Sequence, residues 1–238
     1  YDRLVGSEMC IRDRGSTGAM MNSFVRIDPN NVITMLANNS EFGNGAYTVM
    51  SMMLAEELDV DYRSIALEAA PTTPEYYSPL FREYLTAGSV TTGSTFIPMR
   101  TAGAKARAML LEAASKDWNV PAFELTTGDA TVTHAGTGRN ATYGELLETI
   151  HRLDIQPPER VTLKDPSEFK ILGKPARRYE GAGKVDGSAE FGIDIKLPGM
   201  LYGAIARPPV HGGSVVDFDA TEALAMPGVV KVKAIRAG

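Results

Sequence analysis

Asn39-Ser40-Glu41-Phe42-Gly43-Asn44-Gly45-Ala46-Tyr47-Thr48 stands between an apolar, strand-like run and a helical pattern. Two glycines, Gly43 and Gly45, flank one side-chain amide, Asn44, just where the helix begins. A backbone without Cβ atoms lets an anion approach closely, and a helix N-terminus offers it unpaired N–H groups. One reading is a cradle for a phosphate or cofactor. The other is a strand-to-helix turn that uses glycine for its dihedrals.

Working outward, Phe24-Val25-Arg26-Ile27 and Val32-Ile33-Thr34-Met35-Leu36 are strand-like, and Asp28-Pro29-Asn30-Asn31 between them predicts a hairpin. After the glycines, Ala46, Val49, Met50, Met53, Leu54 and Leu58 recur at helical spacing. Glu56, Glu57 and Asp59 are expected on the opposite, solvated face. Ile65-Ala66-Leu67-Glu68 reads as a short strand, and residues 71–92, rich in Pro, Thr, Ser, Gly and Tyr, as a long loop. Loops of that length inside a domain are usually functional or mobile. An alanine- and leucine-dense helix follows from Ser94 to Trp118, with Ala102, Ala106, Met109, Leu110 and Ala113 on a buried stripe. Arg100, Lys105 and Arg107 are expected towards solvent. Phe123 to Thr133 reads as a second hairpin turning at Gly128-Asp129, and Thr142-Tyr143-Gly144-Glu145 as a capping box opening a short helix to His151.

The composition shifts over residues 153–182. Gln156-Pro157-Pro158 and Lys170-Ile171-Leu172-Gly173-Lys174-Pro175 read as a linker wrapped over a surface. From Ala189 the pattern is β-rich, over Ala189–Ile195, Leu201–Ala206, Val215–Phe218 and Val229–Ile235, with one short helix at Thr221–Ala225. The first twenty residues look foreign, and they lack the apolar core of a signal peptide. The expected organisation is therefore a leader (1–20), an α+β segment of hairpins and helices (21–154), a linker (155–182) and a β-rich domain (183–238), in a chain read as an N-terminal fragment.

Bulk properties narrow the function. With 238 residues, 44% hydrophobic and 22% charged, the composition is that of a globular protein. A net charge of −5 argues against a nucleic-acid partner. No apolar run approaches the roughly 20 residues of a transmembrane helix. Eleven methionines suit core gaps. Cys10 is the single cysteine, so no internal disulfide forms. His134, His151 and His211 lie far apart and read as surface or loop residues rather than metal ligands.

Gly43-Asn44-Gly45 is not a dinucleotide fingerprint, because Thr48 stands where a third glycine is needed, and no Lys-Ser/Thr pair makes it a P-loop. A second candidate is Thr86-Ala87-Gly88-Ser89-Val90-Thr91-Thr92-Gly93-Ser94, a hydroxyl- and glycine-rich lead into the long helix. Its hydroxyls and helix-start N–H groups suit a phosphate or the polar edge of a cofactor, or else form an N-cap with a flexible lead-in. Glu41 beside the first glycines reads as a structural hydrogen-bond acceptor before a general base. No nucleophile, general base or metal-binding set is specified.

Taken together and in order, these segments resemble the large, molybdopterin-binding subunit of molybdenum hydroxylases in the xanthine dehydrogenase/aldehyde oxidase family, isoquinoline 1-oxidoreductase beta-subunit type. Ser40 to Thr48 with Leu54-Ala55-Glu56-Glu57-Leu58 resembles the family's Glu-Met-Gly-Gln-Gly segment and helix, and Thr86 to Arg100 with Ala102-Gly103-Ala104 its Thr-Gly-Gly-Ser loop. Gly173-Lys174-Pro175, Lys184-Val185-Asp186-Gly187, Phe191-Gly192-Ile193-Asp194 and Leu197-Pro198-Gly199-Met200-Leu201-Tyr202 resemble the start of its α/β-hammerhead domain, continued by Ala206-Arg207-Pro208-Pro209 and Pro227-Gly228-Val229. The resemblance implies a molybdenum–molybdopterin cytosine dinucleotide cofactor, hydroxylation of N-heteroaromatics or aldehydes with water-derived oxygen, and a separate small subunit carrying iron–sulfur clusters. It assigns cofactor contacts to Gly43, Asn44 and Gly45 and to Gly88, Ser89, Val90 and Thr91. Asn44 stands where the family has Gln, and Ala87 where it has glycine. The family's catalytic glutamate falls in a later domain, so no catalytic residue is expected here. The other readings are a non-catalytic interaction module in which both glycine loops are turns, and a nucleotide-binding enzyme of another kind. Substrate and localisation, periplasmic or cytoplasmic, stay open.

Overall fold

The apolar runs on either side of the glycine turn build one sheet and two helices. The computed structural model describes residues 18–235, which divide after Ala189 into two units. In the first unit, β1 (Ala19–Asn22), β2 (Val25–Ile27) and β3 (Ile33–Ala37) are antiparallel neighbours. The β2–β3 hairpin is the expected one: Asn31 takes a φ of 65° in the turn, and Asp28 Oδ1 accepts the Val32 N–H at 2.9 Å. β1 was not expected. It begins inside the segment read as a leader and pairs Ala19 with Ile27; the rest of that segment, before residue 18, lies outside the described residues.

The chain then runs through α1 (Ala46–Leu58) to β4 (Ala66–Ala69), which lies parallel to β3 at the sheet edge. α2 (Thr91–Trp118) packs along α1 and starts three residues before the expected Ser94. β5 (Leu125–Gly128), β6 (Thr131–His134) and β7 (Arg139–Thr142) form a second, antiparallel sheet. β7 escapes the hydrophobic pattern because Ala141 is its one apolar residue. Both hydrogen bonds of the predicted capping box exist, Thr142 N–H to Glu145 Oε2 (2.8 Å) and Glu145 N–H to Thr142 Oγ1 (3.2 Å). They close the turn ahead of α3 (Leu146–Arg152) rather than its first helical turn.

The core lies between the first sheet, α1 and α2. Met21, Met35, Met50, Met53, Met99 and Met109 are each at most 1% exposed. The two helices meet at Gly103, where an added Cβ would lie 2.5 Å from the Leu54 carbonyl oxygen and 3.1 Å from Glu57 Cβ.

α1 is buried on all sides along its second half, and this overturns one expectation. Glu56 and Glu57 are not solvated; they are 1% and 0% exposed. Residues 164–180 cross over them. Glu56 Oε1 accepts the Lys170 N–H at 3.0 Å, and its Oε2 accepts those of Ile171 and Leu172, both at 2.8 Å. Glu57 takes the Lys164 N–H at 3.1 Å on Oε1 and pairs there with Arg100 at 2.7 Å. Arg100 is itself 5% exposed and lies between the rings of Phe96 and Phe169, at 5.0 and 4.8 Å. Lys105 is also 5% exposed, and Arg107 is half-buried against Asp59 at 3.1 Å, so Arg100, Lys105 and Arg107 do not take the expected solvent face. The warning sign was local: Met52-Met53-Leu54-Ala55 is apolar all round the helix, and such a helix is covered on every side.

α4 (Gly181–Asp186) completes the described part of the first unit. The second unit, residues 190–235, holds α5 (Thr221–Ala225), as expected, but none of the expected strands among the described residues. Ile193 and Val216 there are 90% and 96% exposed. Valine- and isoleucine-rich runs favour a pleated, half-buried surface, but a strand also needs a neighbouring ladder, and none pairs with these runs. The hammerhead strands are therefore not seen.

Because the Leu54 carbonyl cannot move without shifting α1, Gly103→Ala should lower stability by about 1–3 kcal/mol, as overpacking does. Urea unfolding of the two proteins measures it.

Candidate functional site

The two glycine-bearing loops leave the same end of the fold. Asn38 and Asn39 follow β3 and are 8% and 4% exposed. Asn38 Nδ2 donates to the Tyr76 carbonyl at 3.2 Å, and Asn39 Nδ2 to the Leu85 carbonyl at 2.9 Å. Thr86 Oγ1 accepts the Ser40 N–H at 2.7 Å. Ser40 opens the first loop and Thr86 the second, so this hydroxyl ties their roots together. Sequence reasoning quoted Thr86 without a role; a hydroxyl bridging two loops leaves no local signature.

In the first loop Gly43 and Gly45 take φ values of 106° and 80°, the left-handed region glycine occupies without strain. Gly45 is the N-cap of α1, and its own residue type offers no capping side chain. Four of the amide donors are nevertheless filled. Glu41 Oε1 accepts the N–H groups of Gly43 (2.6 Å) and Gly45 (3.1 Å), and its Oε2 that of Tyr47 (3.3 Å). Asn44 Oδ1 takes the Ala46 N–H at 3.2 Å. Glu41 is thus the structural acceptor expected of it. Burial alone would raise its carboxyl pKa, but the amides of Gly45, Gly43 and Tyr47 and the charge of Lys184 outweigh burial and hold it below the usual value. From the crossing segment, Arg178 Nη2 donates to the Gly43 carbonyl at 2.6 Å, and Lys184 Nζ lies 3.7 Å from Glu41 Oε1. Thr48 Oγ1 takes the Tyr179 N–H at 2.9 Å and donates to Glu180 at 3.2 Å.

The second loop is built the opposite way. Gly88 and Ser89 both take positive φ, 65° and 58°, and Val90 is the N-cap of α2 with no side-chain cap. The N–H groups of Thr91, Thr92 and Gly93 stand at the helix start, where no intrahelical partner exists. Gly93 also lines a cleft of about 430 Å³, with Pro79, Leu80, Ser89, Val90 and Ser94. Free donors at a helix start suit a group bearing negative charge or hydrogen-bond acceptors.

At the other end of α1 a cleft of about 640 Å³ runs between Asp59, Tyr62, Thr127 and the crossing residues Lys170, Lys174 and Arg177. Asp59 closes α1 with a φ of 56°. It binds Lys164 at 2.5 Å, Thr127 at 2.6 Å and Arg107 at 3.1 Å. Burial pushes its pKa up, and these partners push it further down, so it lies below the usual value. His134, expected at the surface, is a buried residue of β6 with Glu124 at 3.0 Å and Thr137 at 2.8 Å on its two ring nitrogens. No helix among the described residues is long and apolar enough to cross a membrane.

The first unit is thus a mixed helix-and-sheet domain with two glycine-bearing helix starts joined at their roots. The model of the molybdopterin cofactor-binding domain matches residues 5–195, and the chain belongs to that family. It is 30% identical to the beta subunit of isoquinoline 1-oxidoreductase from Brevundimonas diminuta, over 91% of this chain and 32% of that protein. It is 29% identical to the B subunit of nicotinate dehydrogenase from Pseudomonas putida, over 90% of this chain and 18% of that one. A third relative, at 28%, is the membrane-bound aldehyde dehydrogenase [pyrroloquinoline-quinone] of Gluconacetobacter polyoxogenes, over 86% of this chain and 26% of that protein. The chain thus spans a third or less of the length of each.

Removing the Glu57 carboxylate strands the Arg100 guanidinium in the core. Glu57→Ala should cost about 3–5 kcal/mol, the usual cost of breaking a buried pair, and hydrogen exchange should speed up at the Lys164 amide first. Asp59 gives a pH signature. A depressed folded pKa adds stability above the unfolded value, and that stability is lost as pH falls through the folded one. The stability gap between wild type and Asp59→Asn, read from urea midpoints, should narrow below about pH 4.

Proposed function

We propose that this chain is part of the large subunit of a molybdenum hydroxylase that oxidises an N-heteroaromatic or an aldehyde with oxygen from water. The family membership and the printed names of two relatives, an isoquinoline oxidoreductase and a nicotinate dehydrogenase, support that substrate class. The cofactor proposed is molybdenum–molybdopterin cytosine dinucleotide, and the partner a small subunit carrying iron–sulfur clusters that takes the electrons away. When bound, the cofactor supplies the redox centre at which the substrate is oxidised.

The observation that carries this reading is the pair of helix starts, pinned to each other through Thr86. The second loop holds the anionic part of the cofactor: the first-turn N–H groups from Thr91 and the hydroxyl of Ser89 are its donors, and Gly88 lets the backbone come close. The first loop contributes Asn44. Its Oδ1 is engaged with Ala46, which leaves the Nδ2 hydrogens to face an acceptor, while Gly43 and Gly45 shape the turn around it. Glu41 does not act as the catalytic base, because three backbone amides take up its carboxylate. The catalytic glutamate is assigned to a later part of the full-length polypeptide, so this chain binds cofactor without completing the active site.

Molybdenum and pterin analysis of the purified full-length protein tests the proposal. A stoichiometric complement of both is expected, and absence of both would leave an interaction module. Asn44→Ala is expected to lower the retained pterin by about tenfold, equivalent to one neutral hydrogen bond of roughly 1.4 kcal/mol. Molybdenum-dependent turnover by the 238-residue chain alone would overturn the claim that the active site is incomplete.

A further inference from the structure

A helix start preceded by Gly43-Asn44-Gly45 looks made for phosphate. Yet four of the N–H groups that would bind one are already engaged. The Gly43, Gly45 and Tyr47 N–H groups end on the two oxygens of one carboxylate, at 2.6, 3.1 and 3.3 Å, and the Ala46 N–H ends on Asn44. The carboxylate sits where an external anion would sit, and it is compensated as one would be, by Lys184 Nζ at 3.7 Å. Its side chain is 5% exposed. Arg178 holds the same turn from the other side through the Gly43 carbonyl.

We infer that Glu41 is a positioning residue that fills the anion nest of its own loop, so that the Phe42–Gly45 turn meets a ligand through the Asn44 side-chain amide and not through phosphate. This rests on the reading of that turn as a cofactor contact and deepens it. The two loops divide the work: the start of α2 takes charge, and the start of α1 takes a neutral hydrogen-bond acceptor. Glu41 itself touches no ligand. It fixes the backbone that aims Asn44, and it keeps free phosphate and other small anions out of the turn.

The test is a titration of the ¹⁵N-labelled full chain with inorganic phosphate, followed by amide spectra. In wild type the Gly43, Gly45 and Tyr47 signals are expected to stay in place. In Glu41→Ala, with signals outside the loop unchanged, they should shift saturably and bind phosphate at least about tenfold more tightly than wild type. Glu41→Gln covers the case in which the alanine variant does not fold. It keeps the side-chain volume but turns an NH2 group towards Tyr47, so phosphate should move the Tyr47 signal alone. Saturable shifts in wild type, or no gain in a folded Glu41→Ala or Glu41→Gln, would overturn the inference. A full-length protein that carries no pterin would end the proposal of the preceding subsection and leave this titration standing.

Discussion

Two adjacent carboxylates, buried side by side on one helix, hold the first unit together. Glu56 and Glu57 lose their hydration when α1 is covered, and a buried carboxylate without partners is among the costliest things a fold can contain. Here each one is met by backbone N–H groups of residues 164–172, and Glu57 also by Arg100. Dependence runs both ways. The crossing segment has no regular secondary structure over its contacts with Glu56, so these carboxylates satisfy amides that a strand or helix would otherwise satisfy. Once the segment is fastened, its continuation brings Arg178 and Lys184 to the glycine turn. Charges buried at the C-terminal half of α1 thereby set the surroundings of its N-terminus, about 15 Å away along a helix of thirteen residues.

The same economy of backbone donors separates the two loops. Both offer glycine, polar side chains and a helix start. In one, a nearby acid and an amide consume the donors; in the other, a left-handed Gly88-Ser89 step carries the chain into α2 without a cap and leaves the donors beside a cleft. Holding a non-glycine residue such as Ser89 at positive φ costs of order 1 kcal/mol or more, a cost that functional loops commonly carry.

Much of the first unit was legible because its signals are local. The β2–β3 hairpin, α1 and the β5–β6 hairpin follow from turn residues and apolar spacing. Polar burial was not legible. Glu56, Glu57 and Arg100 look solvated when each is judged by residue type, and only the surface folded over them, more than fifty residues further along the chain, reverses the judgement. Thr86 and Glu41 show the same limit at the site: an acceptor for backbone amides can be recognised only when the amides have been placed. In residues 190–235 the error has the opposite sign. β propensity is present, but propensity expresses fitness for a sheet and not the sheet itself.

The fastening of the crossing segment is read by the main chain. Glu56 recognises Lys170, Ile171 and Leu172 through their N–H groups, so the identity of the Lys170 side chain, which is exposed, is immaterial to that bond. Ile171 and Leu172 answer only to the apolar surface beneath them. Such a seam tolerates wide drift in letters while forbidding one at residues 164, 170, 171 and 172: proline, with no hydrogen on its nitrogen, breaks a tooth of it there. Related chains can therefore keep this clasp while sharing almost no residues along it, and a comparison of letters alone would pass over it.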